Sequence, residues 1–237
     1  MSIMKYYMLI GLFLIRGLNA IQDSCELAFP GKGIDGKTVV LHIVTGPKNS
    51  EYTDITLLKD VDAIVNAANE RCLGGAGVDG AVHTAAGKNL ADYIAKNFLE
   101  ITKDVRCFTG AAKATPAFGL TKNNIQCIVH AVGPRYSDDN KENLLRSVYT
   151  NSLASAREYA QKNNVVLKSI AFPSISTGIF GYPVNEASKI AIDTIAQEIE
   201  CGNFAFDEVR FVVWPDNYKA YLAALVDSKQ KKHNLDN

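Results

Sequence analysis

Residues 62–87 read DAIVNAANERCLGGAGVDGAVHTAAG, and the rest of the chain is best read outward from them. The stretch opens on a short, nearly continuous apolar run bounded by polar residues, as a strand covered on both faces would be. It then offers Asn66 and Asn69, the small residues Gly74-Gly75-Ala76-Gly77, and a lone Asp79 and His83. From Asp79 the pattern turns helical. A glycine run lets backbone approach a ligand closely. Running straight from Gly77 and Val78 into a helix, it also aims free N–H groups and the positive end of a helix dipole at one spot, which suits an anion.

Each residue here also has a plainer reading. The amides of Asn66 and Asn69 could tie down neighbouring backbone. Glycine runs make ordinary turns, and Asp79 could be a first-turn acid that stabilises its helix. His83 lies four residues after Asp79, so the two share a helix face. They could act together, with Asp79 orienting or deprotonating a water, or His83 could be a satisfied core histidine.

Strands and helices alternate on either side. KTVVLHIVTG, VDAIVNA, GAAKATPAFGL, IQCIVHAV, KSIAFPSIS and EVRFVVW read as extended. Leu90, Tyr93, Ile94 and Ile101 recur at helical spacing after an interruption at Gly87. Leu145, Val148, Tyr149, Leu153, Ala156 and Tyr159 mark a long helix, and Ala187, Ile190, Ala191, Ile195 and Ile199 another, with Asn185 as its expected cap. A last helix begins at Pro215. The alternation predicts an α/β layered sheet, with ligands beyond the carboxyl ends of its strands. One domain is expected over about residues 37–228, after a leader or loop at 21–36 and before a polar C-terminal tail at 229–237.

A second strand-to-helix loop, SISTGIFGYP at 174–183, repeats the anion-friendly chemistry with Ser176, Thr177, Gly178, Ile179 and Phe180. Two such loops on one sheet edge suggest a diphosphate held between them, with Phe180 as a flat apolar surface for a sugar or base. Neither a Walker loop nor a GxGxxG fingerprint is present.

Bulk composition narrows the field. The chain has 237 residues, 47% hydrophobic and 21% charged, with zero formal net charge, an ordinary globular composition without the footprint of a nucleic-acid binder. Its five cysteines lack CxxC or zinc spacing, so neither a disulfide scaffold nor a metal site is expected. Residues 1–20, MSIMKYYMLIGLFLIRGLNA, have the form of a secretory signal peptide, with an apolar run too short to span a bilayer. Export is therefore expected. The alternative is a cytoplasmic chain whose first residues add a strand or helix to the domain.

VDAIVNAANERCLGGAGVDGAVHTAAG, together with CIVHAVGP and FPSISTGIFGYP, resembles a macrodomain of the MacroD type. The resemblance runs from about residue 38 to 226. It implies a three-layer α/β/α fold with a mixed central sheet that binds ADP-ribose. It also implies hydrolysis of ADP-ribosyl esters, either O-acetyl-ADP-ribose or ADP-ribose carried on Asp or Glu of proteins, without a metal or other cofactor. A monomer is the default expectation. By the same resemblance Asp54, in TDIT where the family has GDIT, would contact adenine, with Ile55 beside it. Asn66 and Asn69 match the family's paired asparagines, and Asn69 would contact the distal ribose. Gly74, Gly75, Gly77 and Val78 would wrap ribose and phosphates, and Ser176, Thr177, Gly178, Ile179 and Phe180 would hold the diphosphate. Asp79 would be the catalytic carboxylate with His83 beside it. Trp214 lies by position near the adenine end. Thr53 and Ala76 depart from the family pattern, each standing where it has glycine. Two rival activities fit the same fold: a reader of ADP-ribose without catalysis, and a phosphatase acting on ADP-ribose phosphate.

Overall fold

The computed structural model describes residues 13–16, 23–47, 50, 53–202 and 204–235. Among these residues, eight strands form one sheet in the order β1-β2-β3-β8-β7-β4-β6-β5. They are β1 (Phe13–Arg16), β2 (Asp23–Phe29), β3 (Val39–Thr45), β4 (Ala63–Ala68), β5 (Ala112–Pro116), β6 (Cys127–Val132), β7 (Ser169–Phe172) and β8 (Glu208–Val212). The central strands β3, β8, β7, β4 and β6 run parallel. The outer strands β1, β2 and β5 pair antiparallel, so the sheet is mixed.

Among the described residues, five α-helices cover its two faces: α1 (Val78–Ala86), α2 (Lys88–Asn97), α3 (Lys141–Asn163), α4 (Val184–Glu200) and α5 (Pro215–Leu235). Alternate residues of the central strands feed opposite cores, as the twofold period of a strand requires. Ala63, Val65, Val129, Phe172 and Phe211 pack with Tyr149 of α3, Ile195 of α4 and Tyr221 of α5. Ile64, Ala68, Ile128, Val132 and Ala171 pack with Val82 of α1 and Leu90 and Ile94 of α2. The fold is thus the expected three-layer α/β/α arrangement.

Sequence expectations need correction at several points. Residues 23–29 are not a loop: they form β2, paired with β3 along its whole length. The clustered glycines and Pro30 obscure an alternation in which Cys25, Leu27 and Phe29 are buried. Residues 13–16 pair with β2 as the outermost strand, and the rest of the expected signal segment lies outside the described residues. The second helix stops at Asn97, leaving Ile101 half-exposed beside an isolated bridge between Thr102 and Val105. Asn185 lies inside α4, which Pro183 precedes at the cap position, and α5 continues through most of the expected polar tail. Among the described residues, no helix is long and apolar enough to cross a membrane.

Candidate active site

β4 and β7 are neighbours in the sheet, so the segments that leave their carboxyl ends are neighbours too. The first is the glycine loop. Gly77 stands at the N-cap of α1 with φ 63° and no side-chain cap. The backbone N–H groups of Gly75, Ala76, Gly77 and Val78 have no acceptor among the described residues. Ala76 is not among the residues with positive φ, so its methyl carries no backbone strain.

The second segment is the loop after β7. Its turn closes through Tyr182 N–H to Ser176 O at 3.0 Å and Gly181 N–H to Gly178 O at 2.9 Å. Thr177, Gly178, Ile179 and Phe180 donate no backbone hydrogen bond among the described residues. Ile179 is 81% exposed. Ser176 adopts φ 67°, and its buried hydroxyl points away from solvent. Two runs of free N–H groups therefore stand at adjoining strand ends, a ready cradle for a diphosphate.

In the first turn of α1, directly after the glycine loop, lies Asp79, only 3% exposed. Two amides hold its carboxylate: Asn66 Nδ2 donates to Oδ1 at 2.7 Å and Asn69 Nδ2 to Oδ2 at 3.3 Å. Asn69 Nδ2 also donates to Gly74 O at 3.0 Å, and its Oδ1 accepts from Arg71 N–H at 3.0 Å, which fixes the start of the glycine loop. His83 Nε2 comes within 3.5 Å of Asp79 Oδ1, so the predicted pair does meet on one helix face. Burial pushes the Asp79 pKa above the ordinary carboxylate range, against the lowering effect of Asn66, His83 and Arg71. Burial pushes His83 down, with Asp79 opposing, so this imidazole is neutral at neutral pH. The result is a desolvated carboxylate of raised basicity beside exposed donors, which is what a base toward water requires.

Some expected site residues sit elsewhere in the arrangement. Asn66 is fully buried and acts on Asp79 rather than presenting its amide at the surface. The Ile55 side chain lies in the core under α1 and α2, not in the site. Asp54 caps a short 3-10 turn by accepting from Thr56 N–H at 3.0 Å and Thr56 Oγ1 at 2.7 Å. Thr53 Oγ1 donates to Pro47 O at 2.7 Å, giving its hydroxyl a local job. Trp214 is 43% exposed just beyond β8, on the same edge of the sheet.

Five participants were not singled out from sequence. The Gly133 backbone lies directly against Ser176, and a β-carbon there would overlap the Ser176 hydroxyl. The Arg135 guanidinium lies 4.9 Å from the centre of the Phe180 ring, while Tyr136 N–H donates to Phe180 O at 2.9 Å. His130 and Thr115 continue the polar line behind Asn66. The signal for His130 was present: it is the one polar residue in the strand CIVHAV.

A family model described as Macro domain matches residues 65–191. A Macro domain-containing protein of Caldanaerobacter subterraneus is 44% identical over 169 residues, which is 70% of this chain and 89% of that protein. A protein of Salmonella newport named O-acetyl-ADP-ribose deacetylase is 40% identical over 179 residues, 75% of this chain and 92% of its own length. Among solved structures, an Oceanobacillus iheyensis macrodomain with ADP aligns at TM-score 0.70 and 34% identity, covering 88% of this chain and 98% of that one.

Proposed function

The chain belongs to the Macro domain family, and from that premise we propose that it binds ADP-ribose and hydrolyses ADP-ribosyl esters. The substrates are O-acetyl-ADP-ribose or mono-ADP-ribose carried on Asp or Glu of proteins. The deacetylase name of the Salmonella relative and the ADP in the Oceanobacillus structure support this reading. The observation that carries it is the buried Asp79 carboxylate, clamped by two amides directly after a glycine loop whose backbone N–H groups are free.

In the proposed complex the diphosphate lies between the Gly75–Val78 and Thr177–Phe180 backbones. Preformed N–H groups neutralise it with little reorganisation. The distal ribose sits over Gly74, whose φ of 93° suits glycine, and Gly75, where a β-carbon would collide with Asp79. Asn69 meets that ribose, and the Phe180 ring, backed by Arg135, flanks it. Asp79 accepts a proton from a water that attacks either the ester carbonyl or the anomeric carbon. With attack at the carbonyl the acyl–oxygen bond breaks, releasing the free acid and ADP-ribose. Where the acyl group sits on the anomeric oxygen, attack at the anomeric carbon breaks the carbon–oxygen bond on the sugar side and gives the same products. Hydrolysis in water labelled with heavy oxygen distinguishes the two, since the label enters the acid in the first case and the ribose in the second.

Calorimetric titration of ADP-ribose, followed by a hydrolysis assay on O-acetyl-ADP-ribose with the same sample, tests the proposal. Binding with turnover supports it. Binding without turnover leaves an ADP-ribose reader, and no binding removes both. Export is a separate proposal resting on residues 1–20, and the mass of chain recovered from the medium of expressing cells tests it.

A further inference from the structure

His130 has no exposure to solvent, and both of its ring nitrogens are engaged. It stands opposite Asn66 in the parallel pairing of β6 with β4. Its Nδ1 lies 3.2 Å from Asn66 Nδ2, and its Nε2 lies 3.1 Å from Thr115 Oγ1 on β5. Either nitrogen of a neutral imidazole can carry the proton, so the neighbours decide which one does.

Thr115 decides it. Its hydroxyl has one proton, and it donates that proton to Pro116 O at 3.0 Å, a carbonyl that can only accept. Thr115 Oγ1 therefore meets His130 as an acceptor, so Nε2 carries the imidazole proton. Nδ1 is left as a bare lone pair, and it accepts from Asn66 Nδ2. The amide of Asn66 is then fixed in one orientation. One proton of Nδ2 goes to His130 and the other to Asp79 Oδ1 at 2.7 Å. Turned over, Asn66 would aim its oxygen at a carboxylate oxygen and an imidazole lone pair together.

We propose that His130, held by Thr115 as the Nε2–H tautomer, is a positioning residue that keeps Asn66 donating to Asp79. The proposal rests on the reading of Asp79 as the reacting carboxylate. His130 touches no substrate. It acts through Asn66, two hydrogen bonds behind the carboxylate. Burial, and secondarily the neighbouring His83, keeps the His130 pKa near 3, so the ring stays neutral and Nδ1 stays free to accept. The unpartnered Asn66 Oδ1, buried without a donor among the described residues, is the visible cost of this orientation.

Long-range proton–nitrogen NMR correlation on labelled protein tests the first half directly. The expected result is a protonated Nε2 and a bare Nδ1 on His130. The other tautomer, or an imidazolium, overturns the proposal whatever the enzyme does. The second half is read from Asp79 by its carboxyl carbon titration in Thr115→Val, a near-isosteric change that removes the acceptor. The Asp79 midpoint is expected to rise by roughly one pH unit as Asn66 loses its fixed donation. Thr115→Ser restores it. On O-acetyl-ADP-ribose, kcat of Thr115→Val is expected to fall about tenfold, with the ADP-ribose Kd within about twofold of wild type. An unchanged Asp79 midpoint in Thr115→Val overturns the proposal. A shifted midpoint in a protein whose wild type does not hydrolyse the ester upholds the positioning and removes only the hydrolase reading.

Discussion

The α-carbon of Gly75 packs against the carboxylate of Asp79 so closely that a β-carbon built on it would stand 2.9 Å from Oδ2 and 3.2 Å from Asn69 Nδ2. The bare backbone of the glycine loop and the placement of the carboxylate are therefore one feature. Gly75→Ala is expected to push Asp79 off its position while leaving the two phosphate-facing backbones in place. A displacement of this kind can cost about a hundredfold in rate. Steady-state kinetics on O-acetyl-ADP-ribose should show the loss mainly in kcat.

Gly133 plays the same part for the second loop. A β-carbon there would overlap Ser176 Oγ and stand 2.5 Å from Ile175 Cγ2. Neither neighbour has room to move: Ile175 is buried in the core, and Ser176 is fixed by the turn that its carbonyl closes. Gly133→Ala is expected to cost about 1–3 kcal/mol of stability. It should also weaken ADP-ribose binding by at least about tenfold, an effect of 1.4 kcal/mol on the loop that receives the diphosphate. Urea unfolding and calorimetry on the one variant measure both.

The architecture could be read from sequence because the covered strands and amphipathic helices keep their periods. The place of Asp79, in the first turn of the helix that follows the glycine loop, followed from the strand–loop–helix order. The inward role of Asn66 did not. Asn66 shares a strand face with Ile64 and Ala68, and His130 shares one with Ile128 and Val132, all of which pack toward α1 and α2. The alternation thus placed both polar side chains under the helix that carries Asp79. That they meet there depends on the pairing of β4 with β6, and strand order is a long-range property that no local pattern encodes. β2 was missed for the opposite reason: its alternation is clear, but the neighbouring Pro30 and glycines read more strongly as a loop.

Acid should expose the buried His130. Its pKa is about 3 in the folded protein and 6.5 when free. Between those values the unfolded chain takes up a proton that the folded one refuses. The stabilisation is complete above pH 6.5 and is lost as pH falls toward 3, at up to about 1.4 kcal/mol per pH unit. Urea unfolding at a series of pH values should show this slope in wild type. In His130→Gln the slope should be shallower by that amount.

The thiols give a check on the packing around the site. Cys25, Cys72, Cys107 and Cys127 are buried, and Cys201 is exposed. Burial also raises the pKa of the Cys25 thiol to about 11 and that of Cys127 still further. The native protein is expected to react promptly with a disulfide reagent at Cys201 alone, and the unfolded protein at all five cysteines. Fast labelling of Cys72 in the native state would mean that the segment between Asn69 and Gly74 opens readily.

The account stands most directly on Asp79. Asp79→Ala should be compared with wild type in two measurements on the same preparations: the ADP-ribose Kd by calorimetry, and kcat on O-acetyl-ADP-ribose. The predicted result is a Kd within about threefold of wild type with kcat lower by roughly 10²–10⁴-fold, the usual contribution of a positioned base. A variant that turns over the ester at the wild-type rate would contradict the assignment of the carboxylate, and with it the mechanism built on Asn66, Asn69 and the glycine loop.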